Sequence, residues 1–272
     1  MGYHLPLSRY LSTVPVYMSR FTLVLLLAIA SFSSQAATIV PSPPQVAAKA
    51  FLLIDADSGA VLAEHNADMP LPPASLTKMM TSYILAREIG EGNIQETDMV
   101  TISENAWSQN PLFEGSSLMW IEPGKDVSIS DLQRGIIISS GNDATVAVAE
   151  HLAGSEAVFV EMMNTQAEKL GMVDTWYVNT HGLPRPEHMT TARDLAILAG
   201  AMIRDHPEQY AIYKEREFTY NDIRQYNRNT LLAEDPTVDG LKTGHTEEAG
   251  YCLVASAERR GMRLISVVMG TS

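Results

Sequence analysis

Gly250–Met269 reads GYCLVASAERRGMRLISVVM. Two apolar runs, Gly250 to Ala257 and Met262 to Met269, flank Arg259-Arg260-Gly261, the pattern of a strand, a tight turn and a returning strand. A second strand pair stands near the other end of the chain. Phe51-Leu52-Leu53-Ile54-Asp55 is a continuous apolar strand, Asp57-Ser58-Gly59 a turn, and Ala60-Val61-Leu62 the start of the way back. Strands at both ends with helical patterning between them predict an α+β architecture. The terminal strands form one antiparallel sheet, flanked by helices and interrupted by an inserted helical subdomain.

The helical stretches are read from periodicity and caps. From Ser75 to about Glu88, Met79, Tyr83 and Ala86 fall at i, i+4 and i+7. Ser130-Asp131 starts another helix, with Leu132, Ile136 and Ile137 on one face. Ser139 to Asp143 interrupts it, and Ala144 to Leu152 resumes. Ser155 caps a helix that Gly171 stops, and Thr190 or Thr191 starts one that runs to about Arg204. Residues 100–127 carry Gly and Pro and read as irregular or short elements.

The N-terminal segment stands apart. Arg9 and Arg20 precede Phe21–Phe32 (FTLVLLLAIASF), an apolar run too short to span a bilayer comfortably, and Ser34-Gln35-Ala36 offers small residues for cleavage. This is a secretory signal peptide over residues 1–36, cut after Ala36; an uncleaved membrane anchor is the alternative. Residues 37–272 then form the functional domain. The formal charge of −13 over 272 residues argues against nucleic acid, whose binding needs clustered Lys and Arg. The single cysteine, Cys252, lies in a strand and reads as a small buried residue.

Three motifs carry chemistry: Ser75-Leu76-Thr77-Lys78, Ser140-Gly141-Asn142 and Lys242-Thr243-Gly244, spaced 65 and 102 residues apart. Pro70, Pro72 and Pro73 resist helix, so Ser75 falls at a helix start. There, free backbone N–H groups favour a developing oxyanion. Residues i and i+3 share a face, which puts the Lys78 amine within reach of the Ser75 hydroxyl. Ser-x-Asn also occurs at Ser103 and Ser108, but only Ser140-Gly141-Asn142 interrupts two apolar helical stretches. Gly244 would let a substrate backbone approach the strand edge. Each motif alone is as readily a cap, a loop or a turn; their order, settings and shared signal peptide make them one site for acyl transfer through a serine ester. The seven histidines make no His-Glu-x-x-His pair, so no metal or cofactor is expected. No Gly-x-Ser-x-Gly elbow is present.

The trio resembles the active-site signature of penicillin-binding proteins and serine β-lactamases. Leu71–Lys78 (LPPASLTK), Ser139–Ala144 (SSGNDA), Asn179–Leu183 (NTHGL), Ile223–Asn229 (IRQYNRN) and Asp239–Ala255 are similar to low-molecular-mass D-alanyl-D-alanine carboxypeptidases of peptidase family S11. The resemblance covers residues 45–270 and implies a β-lactamase/transpeptidase-like fold. It implies that Ser75 attacks the penultimate D-alanine of a peptidoglycan stem pentapeptide, with Lys78 as base and Ser140 and Asn142 assisting. Lys242 and Thr243 would take the terminal carboxylate, and Ser75 and His245 would supply oxyanion-hole N–H groups. β-Lactams would be covalent inhibitors. Arg228 would position Lys242 or the carboxylate, or else form a surface ion pair; His181 would be a cleft-wall or structural residue. The resemblance also implies export to the periplasm, and beyond Ser272 a further helix, a β-rich domain and a membrane anchor on the outer face of the inner membrane. A serine β-lactamase and a non-catalytic penicillin sensor are the alternatives. Against the first, Glu161-Met162-Met163-Asn164 has the wrong spacing for a deacylating Glu-x-x-Leu-Asn element, and the loop is Ser-Gly-Asn rather than Ser-Asp-Asn.

Overall fold

β8 (Gly250–Arg259) and β9 (Met262–Thr271) meet at a two-residue turn in which Arg260 and Gly261 have φ of 56° and 76°. Two left-handed residues make the turn whose twist matches that of paired strands, so Arg259 faces Met262 and the ladder runs back from there. β1 (Ala50–Asp55) pairs antiparallel with β9 on its other side, and β2 (Val61–His65) pairs with β1. β7 (Val238–Thr246) closes the sheet against β8. The order β2-β1-β9-β8-β7 is the expected antiparallel sheet built from both ends of the chain. β7 is an edge strand, with no strand paired on its outer side among the described residues.

The computed structural model describes Met1 and residues 45–272, and residues 45–272 fold as one compact unit. The predicted signal peptide lies outside the described residues. Among the described residues, no helix is long and apolar enough to cross a membrane.

The helices follow the predicted caps closely. α1 is Lys78–Gly90, preceded by a 3-10 turn over Ala74–Thr77, so the helix predicted from Ser75 begins in α form only at Lys78. The cause is local: Ala74 has φ 47°, outside the helical basin. α2 (Ile129–Ile137) is capped by Ser128, whose Oγ accepts from Asp131 N, and it buries Leu132, Ile136 and Ile137 as predicted. α3 is Asn142–Ala153 and α4 is Glu156–Leu170, with Ser155 at its N-cap and Gly171 (φ 82°) at its C-cap. α5 (Ala192–Asp205) is capped by Thr191 and packs on β1 and β9.

One continuous core runs through both parts, from Leu52, Val254, Ile265 and Val267 in the sheet to Met80, Ile84, Ile136 and Val148 in the helices. Two small hairpins interrupt the helical part. β3 (Met99–Thr101) pairs with β4 (Asp126–Ser128) at the two ends of the stretch expected to hold irregular or short elements. β5 (Glu217–Tyr220) pairs with β6 (Ile223–Tyr226) through Asn221 and Asp222, at φ 49° and 60°. Cys252 is buried, as its strand setting predicts.

Candidate active site

Ser75 is delivered by the 3-10 turn between the prolines and α1. It is half-buried at the floor of a cleft of about 1000 Å³. Lys78 follows at the first position of α1 and is 1% exposed. Its Nζ lies 3.1 Å from Ser75 Oγ, 2.7 Å from Asn142 Oδ1 and 2.7 Å from the His181 carbonyl oxygen. Burial, then the nearby Lys242 cation, holds the Lys78 amine well below its ordinary value of 10.5. A neutral amine has two N–H donors and one lone pair. In that neutral form Asn142 and His181 take both donors, and the lone pair faces Ser75 Oγ.

Asn142 starts α3, where the preceding Ser140 (φ 59°) and Gly141 break from α2. Its amide is fixed at both ends. Oδ1 accepts from Lys78, and Nδ2 donates to Ser116 Oγ at 2.8 Å. Ser116 in turn donates to the Phe113 carbonyl at 2.7 Å. Gly141 N donates to the Gly135 carbonyl at 2.9 Å, tying the loop back to α2.

The third motif arrives on edge strand β7. Lys242 is buried, with Nζ 3.0 Å from Ser140 Oγ and 2.9 Å from the Thr243 carbonyl. Burial and the Arg228 charge lower its pKa to about 7. Thr243 is half-buried, and His245 is exposed with its ring against Tyr251, 4.1 Å between centroids. Both line the cleft together with Ser75, Ser140 and Asn142. Gly244 is closely packed. A Cβ there would stand 3.1 Å from Ser75 N and 3.2 Å from the Pro73 carbonyl, so the bare strand lies directly against the Ala74–Thr77 turn. That brings Ser75, Lys78, Ser140, Asn142, Lys242, Thr243, Gly244 and His245 into one cleft or its immediate wall.

His181 is buried on the cleft wall. Burial holds its ring well below 6.5, and it touches Lys78 through its carbonyl rather than its imidazole. Arg228 is exposed, lines the cleft and has no hydrogen-bond or ion-pair partner among the described residues; a surface ion pair for it is thereby replaced by an open guanidinium.

Three contributors lie outside the three short motifs. Ser116 lies in a glycine-serine loop that looks like any solvated turn. Asp143 is buried. Its carboxylate accepts from the backbone N–H of Met119, Trp120, Ile121 and Ala144 at 2.8–3.2 Å, pinning the 119–121 segment over α3. Burial pushes this carboxyl up against those four donors. Glu156 accepts from both the N–H and the hydroxyl of Thr180, at 3.0 and 2.8 Å, and so holds the NTHGL turn. Among the described residues, no group of three or more His, Cys, Asp or Glu converges as metal ligands do.

A family model described as D-alanyl-D-alanine carboxypeptidase (Peptidase_S11) matches residues 37–272. Over 235 residues the chain is 53% identical to the D-alanyl-D-alanine carboxypeptidase DacA of Escherichia coli strain K12, covering 86% of this chain and 58% of that protein. It thus spans less than two thirds of the length of the curated relatives it matches first. The solved structure of penicillin binding protein 5 from Haemophilus influenzae is similar with a TM-score of 0.82 at 50% identity, over 85% of this chain and 67% of that one. Penicillin-Binding Protein D2 from Listeria monocytogenes, solved in a cefotaxime-bound form, matches with a TM-score of 0.76 at 31% identity, over 85% of this chain and 92% of that one. With these similarities and the cleft on edge strand β7, the chain belongs to the D-alanyl-D-alanine carboxypeptidase family, peptidase S11.

Proposed function

We propose that residues 37–272 are the catalytic domain of a serine-type D-Ala-D-Ala carboxypeptidase that trims the terminal D-alanine from peptidoglycan pentapeptide stems. The observation that carries this reading is the Lys78 amine, with two acceptors at 2.7 Å and the Ser75 hydroxyl at 3.1 Å. Ser75 Oγ attacks the carbonyl carbon of the penultimate D-alanine while Lys78 Nζ takes the hydroxyl proton. The oxyanion rests on the backbone N–H groups of Ser75 and His245, an arrangement worth on the order of a hundredfold or more in rate per donor. The peptide C–N bond breaks, and the departing D-alanine nitrogen takes the proton back by way of Ser140. Water then cleaves the Ser75 ester and releases the shortened stem. Lys242, Thr243 and the unpaired Arg228 take the substrate's terminal carboxylate.

β-Lactams would acylate the same serine, a reading supported by likeness to the cefotaxime-bound relative. Residues 1–36 would direct export, placing the enzyme in the periplasm, against the outer face of the inner membrane.

Mass spectrometry after incubation with benzylpenicillin tests the assignment. A penicilloyl adduct on Ser75, absent in Ser75→Ala, together with D-alanine release from a pentapeptide, is expected. Fast penicillin turnover without D-alanine release would replace this reading with a β-lactamase; an adduct without turnover of either would replace it with a sensor.

A further inference from the structure

His188 lies outside the cleft and in none of the three motifs, yet a continuous hydrogen-bond chain runs from it to the nucleophile turn. The ring is 2% exposed. Its Nδ1 accepts from the Val178 N–H at 3.0 Å, which leaves the proton on Nε2. Nε2 lies 2.7 Å from Thr77 Oγ1, and the Thr77 hydroxyl donates to the Ala74 carbonyl at 2.8 Å. Every link has one direction, because each donor proton is used once. The ring also stands edge-on to Tyr177, 5.8 Å between centroids. Burial lowers its pKa to about 4, so it keeps this tautomer through neutral pH.

The end of that chain is a carbonyl in an unusual place. Ala74 has φ 47°, a region sparsely used by residues with a Cβ, and it directly precedes Ser75. Such a turn persists only where its surroundings hold it. Gly182 closes on the same point, since a Cβ there would fall 1.8 Å from the Ala74 oxygen and 2.9 Å from Thr77 Oγ1. The segment bearing His188 is itself anchored on both sides. Thr190 exchanges backbone hydrogen bonds with Leu71 at 2.8 and 3.0 Å, and Met189 does so with Trp176 at 2.9 and 3.1 Å. An ordinary core histidine would end on any nearby acceptor. This one ends on Thr77, between Ser75 and Lys78 in the turn.

We propose that His188 is a positioning residue for the acylation step: through Thr77 it locks the Ala74 carbonyl, and so fixes the strained turn that aims Ser75 at the cleft. The inference rests on Ser75 being the nucleophile. It gives His188 no contact with substrate, so its effect falls on the rate of acylation and leaves the non-covalent affinity for the ligand unchanged. A displacement of a reacting group by about 1 Å costs about a hundredfold in rate.

The test is stopped-flow acylation of the full chain by benzylpenicillin, separating non-covalent affinity from the acylation rate constant, with thermal melting alongside. His188→Ala and Thr77→Val should each slow acylation about tenfold or more at temperatures where they are folded, with unchanged affinity. The double variant should be no slower than the slower single one, because both cut the same chain. His188→Gln, whose amide accepts from Val178 and donates to Thr77, should recover most of the rate. Wild-type acylation rates in His188→Ala, or effects that multiply in the double variant, would overturn the proposal. If His188→Ala fails to fold, Thr77→Val and His188→Gln decide it: a wild-type rate in Thr77→Val, or a His188→Gln as slow as Thr77→Val, would also overturn it. A wild-type chain that takes no adduct on Ser75 would instead overturn the proposed function itself.

Discussion

Lys78 and Asn142 are joined across 64 residues of sequence by a 2.7 Å hydrogen bond between Nζ and Oδ1. That bond orients the amine only because the other end of the amide is also held. Replacing Ser116 by alanine removes the acceptor at 2.8 Å from Nδ2 and leaves the amide free to turn. One such hydrogen bond is worth about 1 kcal/mol, so acylation by benzylpenicillin should slow roughly fivefold to tenfold with little change in melting temperature. An unchanged acylation rate in Ser116→Ala would show that Asn142 needs no such support.

Substrate affinity should depend on pH through Lys242. Its pKa is lowered from 10.5 to about 7, so it is a cation below that value and neutral above it. A ligand held by its carboxylate therefore binds best below about pH 7 and more weakly as pH rises through it. Burial likewise holds the Lys78 amine well below its ordinary value of 10.5. The KM for D-alanine release, measured across this range, should climb with pH, and a flat profile would contradict the role given to Lys242.

The same burial costs stability. The unfolded chain binds more protons at Lys242 between about pH 7 and 10.5, so the protein gains stability as pH rises through that window. Lys242→Met removes the penalty. Replacing a buried charge by an apolar group of similar volume can stabilise by about 1–3 kcal/mol, or about 3–10 °C for a domain of this size. The variant should melt higher than wild type at acid pH, converge with it at alkaline pH, and acylate poorly. Calorimetry showing a lower melting temperature at acid pH would refute this.

Arg228 has an exposed guanidinium in the cleft without a protein partner among the described residues. Arg228→Gln should raise the KM for the peptide about tenfold, about 1.4 kcal/mol of lost binding, while kcat changes little. It should also raise the Lys242 pKa, since the arginine charge helps to lower it. Steady-state kinetics in which kcat falls and KM stays fixed would move Arg228 from substrate binding to the chemistry.

Gly182 combines φ 90° with the close approach to Ala74 described above. Gly182→Ala should destabilise the protein by on the order of 3 kcal/mol or more, or leave no folded protein. A melting temperature near wild type would mean that the NTHGL turn can move away from the nucleophile turn at little cost.

Much of the fold and the motif-bearing residues could be read from sequence because their signals are local. Arg260-Gly261 specifies its own turn, Ser155 and Thr191 cap their own helices, and Ser75 and Lys78 meet through one turn of chain. The start of α1 was displaced because Ala74 takes a left-handed conformation that its residue type does not announce; contacts from Thr77 and Gly182 impose it. The β5–β6 hairpin escapes a sequence reading because its strands are only four residues long and largely exposed. Ser116, Asp143, Glu156 and His188 were invisible for a related reason. Each acts by accepting or donating to a backbone group or a side chain far away in sequence, and nothing in its neighbours records that partner.

The pairing of β1 with β9, in which Ala50 faces Met269, has a consequence for how the chain acquires its shape. The sheet's central contact closes a loop containing nearly all of the described chain, and such remote pairings slow folding. β7, which brings Lys242 to Ser140, is held in the sheet only through β8, and β8 through β9. A nascent chain that has made α1 already owns Ser75 and Lys78 yet has no wall to the cleft. Covalent labelling by a penicillin would therefore lag behind helix formation during refolding and report the moment at which the two ends of the domain find each other.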